Sequence, residues 1–351
     1  MRRLACALLA ALALTLAGCG LPPNGVAVFG RHLAGPAGYV VRGSRIIGPD
    51  GRPFLVHGVD RPSLEWSPQG VALSAADFRR MRAWGANTVR IPLDQDFWLA
   101  SACAYSPGYR ARVRQAVTWA RDAGLVVILD LHWSDEGQDR RGSGCGVAPG
   151  QQQMADQNSL RFWSEVAAAY RSDPGVWFEL YNEPHDVSWS VWRNGGTAQD
   201  PKTGLRWQVA GMQQLYSAVR AAGARNIVVV GGLNWAYDLR GLPRYALTGY
   251  DIAYAVHPYP YAGKEPPDWT ADFGFAAQTY PVIATEFGEF DCGDSYVQTF
   301  IAYAARHGIG WTAWAWYPGG CAFPSLIANW SGTPTVMGSA VRAALQRDAR
   351  S

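Results

Sequence analysis

Two glutamates stand where a protein could set one carboxyl group against another. Glu183 closes the run VWFELYNEP (176–184), an apolar strand pattern stopped by Pro184, and Glu286 closes a second such run, PVIATEF (281–287). A carboxylate at the end of a strand, where the backbone leaves the sheet, is placed to meet a ligand. Two of them across a cleft can divide the cleavage of an acetal between them. One protonates the leaving oxygen while the other attacks the carbon or activates water. Other polar residues close further apolar runs: Arg90 in TVRIP (88–92), His132 in LDLH (129–132), Asn182 beside Glu183, and His257 and Tyr259 in HPY (257–259). Glu179 shares a strand face with Tyr181 and Glu183 but lies one layer deeper, where hydrogen bonding is expected rather than reaction.

These residues need a frame, and the chain alternates strand and helix patterns to supply one. A hairpin is expected from Tyr39–Ile47 through a turn at Pro49-Asp50-Gly51 to Phe54–Val59, whose second arm becomes strand 1. Strands follow at Asn87–Pro92, Leu125–His132, Val176–Glu183, Ile227–Gly232, Asp251–His257, Pro281–Phe287 and Gly310–Trp316. Helical patterns separate them at Ser74–Trp84, Tyr109–Ala123, Asn158–Tyr170, Leu205–Gly223, Trp269–Tyr280, Ser295–His307 and Val336–Arg347. Eight strands alternating with helices predict one α/β domain, a (β/α)8 TIM barrel with a short N-terminal β-hairpin. An open doubly wound sheet would want a phosphate-binding glycine loop after strand 1, and none is present; the glycine-rich 142–146 stretch lies in a long loop. Catalysis in such a barrel sits at the C-terminal ends of the strands, which puts Glu183 and Glu286 across its mouth.

Composition narrows the ligand. Lys and Arg number 31 against 28 Asp and Glu, with no long basic run, so nucleic acid is excluded as a partner. Sixteen Trp and sixteen Tyr suit a ligand with flat, partly apolar faces, although many of these rings must be core.

With the motifs assembled in order, TVRIP, LDLH, YNEP (181–184), HPY, TEFG (285–288) and WTAWAW (311–316), the chain resembles a family 5 glycoside hydrolase, cellulase-like, of the clan with catalytic glutamates on strands 4 and 7. The resemblance implies a retaining endo-acting enzyme on β-1,4-glucan, with Glu183 as general acid/base and Glu286 as nucleophile. Arg90 and Tyr259 would orient Glu286, Asn182 would bond the sugar 2-hydroxyl, and His132 and His257 would complete a polar floor. A Trp under the sugar is implied at Trp314, followed by a non-proline cis peptide, with Trp316 as the alternative; Trp133, Trp235 and Trp66 fall in loops that could stack other sugars. Asp60 stands where the family leads one to expect Asn. Mannan, β-1,3-glucan and xyloglucan are the rival substrates. A surface glycan-binding protein without catalysis is the rival class, and its mark would be a substituted glutamate. No cofactor or metal is expected, and the enzyme should act as a monomer.

Residues 1–18 read as an export signal: Arg2 and Arg3, then an apolar run too short to span a membrane. Leu16-Ala17-Gly18-Cys19 resembles a bacterial lipobox, which implies cleavage before Cys19, a lipid on its thiol, and an exported, membrane-anchored or secreted protein. Residues 19–38, rich in Gly, Pro and Ala, read as a tether, and 39–351 as the catalytic domain. Export leaves Cys103, Cys145, Cys292 and Cys321 in an oxidising compartment, where two disulfides are expected. Their spacing matches no zinc site. Placed on the barrel, they follow strands 2, 3, 7 and 8, so adjacent loops would pair them as Cys103–Cys145 and Cys292–Cys321.

Overall fold

The computed structural model describes residues 38–134, 152–199, 204 and 206–349. The expected signal segment, the lipid site at Cys19 and nearly all of the tether lie outside the described residues. Eight parallel strands close into a barrel: β1 (His57–Asp60), β2 (Thr88–Asp94), β3 (Val126–Trp133), β4 (Val176–Glu179), β5 (Val228–Gly231), β6 (Ile252–Val256), β7 (Val282–Ala284) and β8 (Gly310–Ala313). They pair in sequence, and β8 pairs with β1 to complete the ring. This is the expected (β/α)8 architecture. Gly58 permits the tight approach of β1 to β2, because a Cβ there would fall on the Thr88 carbonyl.

Strand alternation builds two layers inside the barrel. In β3, Val127, Leu129 and Leu131 face the surrounding helices while Val126 and Ile128 face inward. Trp177, Val229, Ala253, Ala255 and Ile283 join them in an apolar inner layer. One step further along the same inward rows come Asp60, Arg90, Asp130, Glu179, Thr285 and Thr312, all fully buried. The lower end is plugged by a hairpin of Val40–Arg42 and Arg45–Ile47. Tyr39 and Phe54 meet Trp177 edge-on, with ring centroids 5.3 and 5.8 Å away. A ligand can therefore meet the polar layer only from the strands' C-terminal side.

Several boundaries differ from expectation. The paired hairpin turns at Gly43-Ser44, where Gly43 takes φ +59°, while Gly48–Arg52 forms a second turn that returns the chain with a single bridge, Ile47 to Pro53. Leu205–Gly223 is not one helix. Arg206–Val209 is a strand with alternating exposure, paired to Gly196–Gln199, and the helix begins at Met212 after Gly211. The Trp269–Tyr280 helix is interrupted near Gly274, which packs against the Tyr303 hydroxyl and leaves a short α turn followed by a 3-10 turn. Strand β4 stops at Glu179, so alternation does not carry Tyr181 to the Glu183 face; the Tyr181 hydroxyl donates to the Gln152 carbonyl at 2.7 Å.

Trp177 joins the plug to the barrel, so Trp177→Ala is expected to cost about 3–5 kcal/mol of unfolding free energy. Urea denaturation checks this, and a loss below ~1 kcal/mol would mean the plug does not carry the lower end.

Candidate active site

Arg90, the inward residue at the middle of β2, is the hub. Its Nε donates to Glu179 Oε2 at 2.6 Å, one Nη donates to Glu286 Oε1 at 2.6 Å, and the other donates to Asn182 Oδ1 at 2.7 Å and lies 2.9 Å from Asp130 Oδ2. Asp60 is the fourth carboxylate, 3.8 Å away. Burial opposes the charge on Arg90, but Asp130, Glu179, Glu286 and Asp60 outweigh it and hold the guanidinium well above its ordinary range. Glu286 is fixed from its other side by the Tyr259 hydroxyl, which donates to Oε2 at 2.9 Å. Burial, then the charge of Glu286, pushes Tyr259 upward, so it remains a donor.

Glu183 lies beyond the end of β4 and is the more exposed of the pair. His257 Nδ1 lies 3.1 Å from Glu183 Oε1 and 3.8 Å from Glu286 Oε2, and an oxygen of each glutamate lies within 4.8 Å of the other. The hydrogen bonds around His257 bear on where the protons sit. Thr285 Oγ1 donates to Glu179 Oε1 at 2.6 Å, so it can only accept from His257 Nε2, 3.0 Å away. Burial lowers His257 to about 4, which keeps the ring neutral and leaves Nδ1 as an acceptor. The atom opposite Nδ1, Glu183 Oε1 at 3.1 Å, is then best matched as a donor, that is, as a protonated acid. Burial also raises Glu183, against the lowering influence of the neighbouring His132, Lys264, His185 and Arg90.

His132 faces the same space. Its Nδ1 lies 2.8 Å from Asp130 Oδ2 and its ring stacks on Trp314, with centroids 5.7 Å apart at 13°. Burial lowers it to about 4 as well, so Nδ1–H donates and Nε2 points toward Asn182 Nδ2 at 3.5 Å. Trp314 carries the cis peptide to Ala315 and packs with Tyr259 and Ala315, flanked by Phe290 and Phe323. Trp316 does not share that surface. It is fully buried against Trp84 of the outer helix, because β8 ends at Ala313 and strand parity no longer applies beyond it.

Trp133 ends β3 beside His132, Trp66 meets Tyr317 edge-on, and Trp235 stands out with 40% of its surface exposed, its ring stacked on His185. The Cys292–Cys321 bridge is formed and ties the loops after β7 and β8. The other expected bridge involves Cys145, which lies outside the described residues. Asp130 and Thr285 join the site without having been expected there. Both carry a sequence signal, since each continues the inward parity of its strand within the LDLH and TEFG motifs. Lys264, whose charge reaches Glu183, sits in a loop with no periodic signal.

The site is thus a closed parallel barrel with two glutamates facing each other at its mouth. Residues 47–320 match Cellulase (glycosyl hydrolase family 5), and the chain belongs to that family. It is 24% identical over 286 residues to an endoglucanase of Clostridium saccharobutylicum, covering 78% of this chain and 56% of that protein. It is 23% identical over 294 residues to a mannan endo-1,4-β-mannosidase of Cellvibrio japonicus, covering 81% and 60%. The chain thus spans little more than half the length of these relatives. A β-glucanase of Saccharophagus degradans superposes with a TM-score of 0.70 at 26% identity, over 90% of this chain and 95% of that one, and has also been solved with cellotetraose.

Burial raises Asp130 to about 7 and Glu65 to about 8, so both hold protons when folded at a pH where the unfolded chain has released them. These two groups should therefore withdraw stability as pH rises from about 4 through 8, while His132 and His257, lowered to about 4 from 6.5, act in the opposite sense only up to about 6.5. Denaturant unfolding at pH 6.5 and 8, above the histidine window, is expected to show the protein weaker at 8, and Asp130→Asn should reduce the difference. A stability that rises over this range would contradict the protonation pattern.

Proposed function

We propose that the protein is a retaining endo-acting glycoside hydrolase that cleaves β-1,4-glucan. The observation that carries this reading is the approach of Glu183 and Glu286 to within 4.8 Å, oxygen to oxygen. Retaining enzymes hold their carboxyl groups about 5–5.5 Å apart, whereas inverting ones leave ~6.5–9.5 Å for a water. In the first step a Glu286 oxygen attacks the anomeric carbon, the bond to the leaving oxygen breaks, and Glu183 gives that oxygen its proton. In the second, Glu183 takes a proton from water, whose oxygen attacks the same carbon and releases Glu286. Arg90 and Tyr259 hold Glu286 from both oxygens, so attack needs no reorganisation. Trp314 and His132 form the floor beneath the reacting sugar, and Asn182 is placed for its 2-hydroxyl. Trp133 and Trp235 offer stacking surfaces to neighbouring sugars.

The β-glucanase likeness supports glucan, and the mannosidase relative makes mannan the substrate to test against it. Assays on carboxymethyl-cellulose, mannan, laminarin and xyloglucan are expected to favour carboxymethyl-cellulose; activity on mannan alone would overturn the choice. Glu286→Gln should abolish turnover. Glu183→Ala should lose about 10²–10⁴-fold on glucan but far less on a dinitrophenyl glycoside, whose leaving group needs no acid. In the wild type, kcat/KM on glucan should decline as pH rises through the raised Glu183 value, above the ordinary ~4.3 of a glutamate. A decline already complete near that value would contradict the assignment. The same reading makes the protein exported and lipid-anchored at Cys19, and Cys19→Ser should abolish incorporation of labelled fatty acid.

A further inference from the structure

Between β5 and β6 the chain makes an excursion whose backbone is costly. Asn234, Trp235 and Ala236 take φ values of +56, +61 and +52°, three consecutive non-glycine residues in the left-handed region. Each such residue costs on the order of 1 kcal/mol or more and persists only where its surroundings over-determine it. The base is closed by a mutual pair: Leu233 N donates to Asp238 O at 3.0 Å and Asp238 N to Leu233 O at 2.8 Å. Within the run, Trp235 N donates to the Pro184 carbonyl at 3.0 Å and Ala236 O accepts from His257 N at 3.0 Å. A side chain adds to this hold. Lys264, in the loop after β6, donates from Nζ to Asn234 O at 2.9 Å and lies 5.0 Å over the Tyr237 ring. One ammonium thus brackets the residues on both sides of Trp235.

What this fixes is the indole. Trp235 is 40% exposed and lies 3.5 Å from the His185 ring at 8°, and His185 Nδ1 contacts the Glu183 carbonyl at 2.8 Å. The platform is therefore tied through His185 to the backbone of Glu183, the residue proposed to protonate the leaving oxygen. Lys264 as a whole is only 8% exposed, so the contact is largely shielded from competing water.

We propose that Lys264 is a positioning residue that locks the Trp235 turn in its left-handed form, and so presents the indole to the sugar on the leaving-group side of the cleavage point. The assignment rests on the hydrolase reading above and adds a specificity determinant to it. Replacing Lys264 by Met keeps the chain length and removes the ammonium, which frees the turn to relax.

The test is a double-mutant cycle of Lys264→Met and Trp235→Ala, read on cellotetraose and on methyl cellobioside, whose leaving oxygen needs the same Glu183 proton but carries no sugar. Lys264→Met is expected to lose about tenfold more kcat/KM on cellotetraose than on the methyl glycoside, a pocket-scale effect, whereas a disturbed acid would weaken both alike. Lys264→Arg should recover most of it. In the double variant the loss should not exceed that of Trp235→Ala alone, since one acts through the other. Additive losses, or equal losses on both substrates, would overturn the proposal. A readout independent of substrate is amide exchange over residues 232–238, which should accelerate in Lys264→Met; unchanged exchange would also overturn it. Failure of the wild type to cleave cellotetraose contradicts the β-1,4-glucan reading instead, and the exchange measurement still decides the clamp.

Discussion

A guanidinium with no exposed surface, surrounded by four carboxylates, is the constraint from which the rest of this structure follows. An ion buried in a low-dielectric interior is tolerable only with its hydrogen-bonding capacity used. Arg90 meets that condition by drawing Glu179, Glu286, Asn182 and Asp130 onto one plane of donors. Those partners come from β3, β4 and the chain beyond β4 and β7, so the ion pair network also sets the relative height of the strands. Glu179, the least available of the acids, acts as a bridge: it accepts from Arg90 and from Thr285, and through Thr285 it orients His257 against Glu183.

The network needs a dry base and an open top. The apolar inner layer and the hairpin plug close the lower end, which keeps water from screening the buried charges. At the upper end the loops after β7 and β8 are joined by Cys292–Cys321, and the rings of Trp314, Phe290 and Phe323 lie among them. Under the hydrolase reading proposed above, such preorganisation is where the binding energy of a long glycan would be used, because the polar groups are placed beforehand. The same burial keeps His132 and His257 neutral, so each can have one donor nitrogen and one acceptor nitrogen with distinct partners.

How much of this could be read from residues alone depends on periodicity. The barrel and all eight strands were legible because fully buried parallel strands leave short apolar runs at regular intervals. Arg90, His132, Glu183, His257, Tyr259 and Glu286 were legible because each closes such a run. Parity failed where strands ended early. It carries Tyr181 toward the Glu183 face although β4 stops at Glu179, and it leaves Trp316 open as the alternative to Trp314 although the chain has left β8 by then. The Arg206–Val209 strand was absorbed into a helix because the helical pattern after it is strong. The Trp235 turn and Lys264 carry no periodic signal at all, since they are fixed by contacts between loops distant in sequence.

The central claim is that Glu286 bonds to the sugar. Incubation with a 2-deoxy-2-fluoro-cellobioside bearing a dinitrophenyl leaving group, followed by proteolysis and mass spectrometry, tests it directly. The fluorine slows the second step and lets the intermediate accumulate. The account predicts a stable fluorocellobiosyl adduct on the peptide containing Glu286, lost on turnover with free sugar acceptor. An adduct on another residue, or inactivation with no adduct at all, would contradict it.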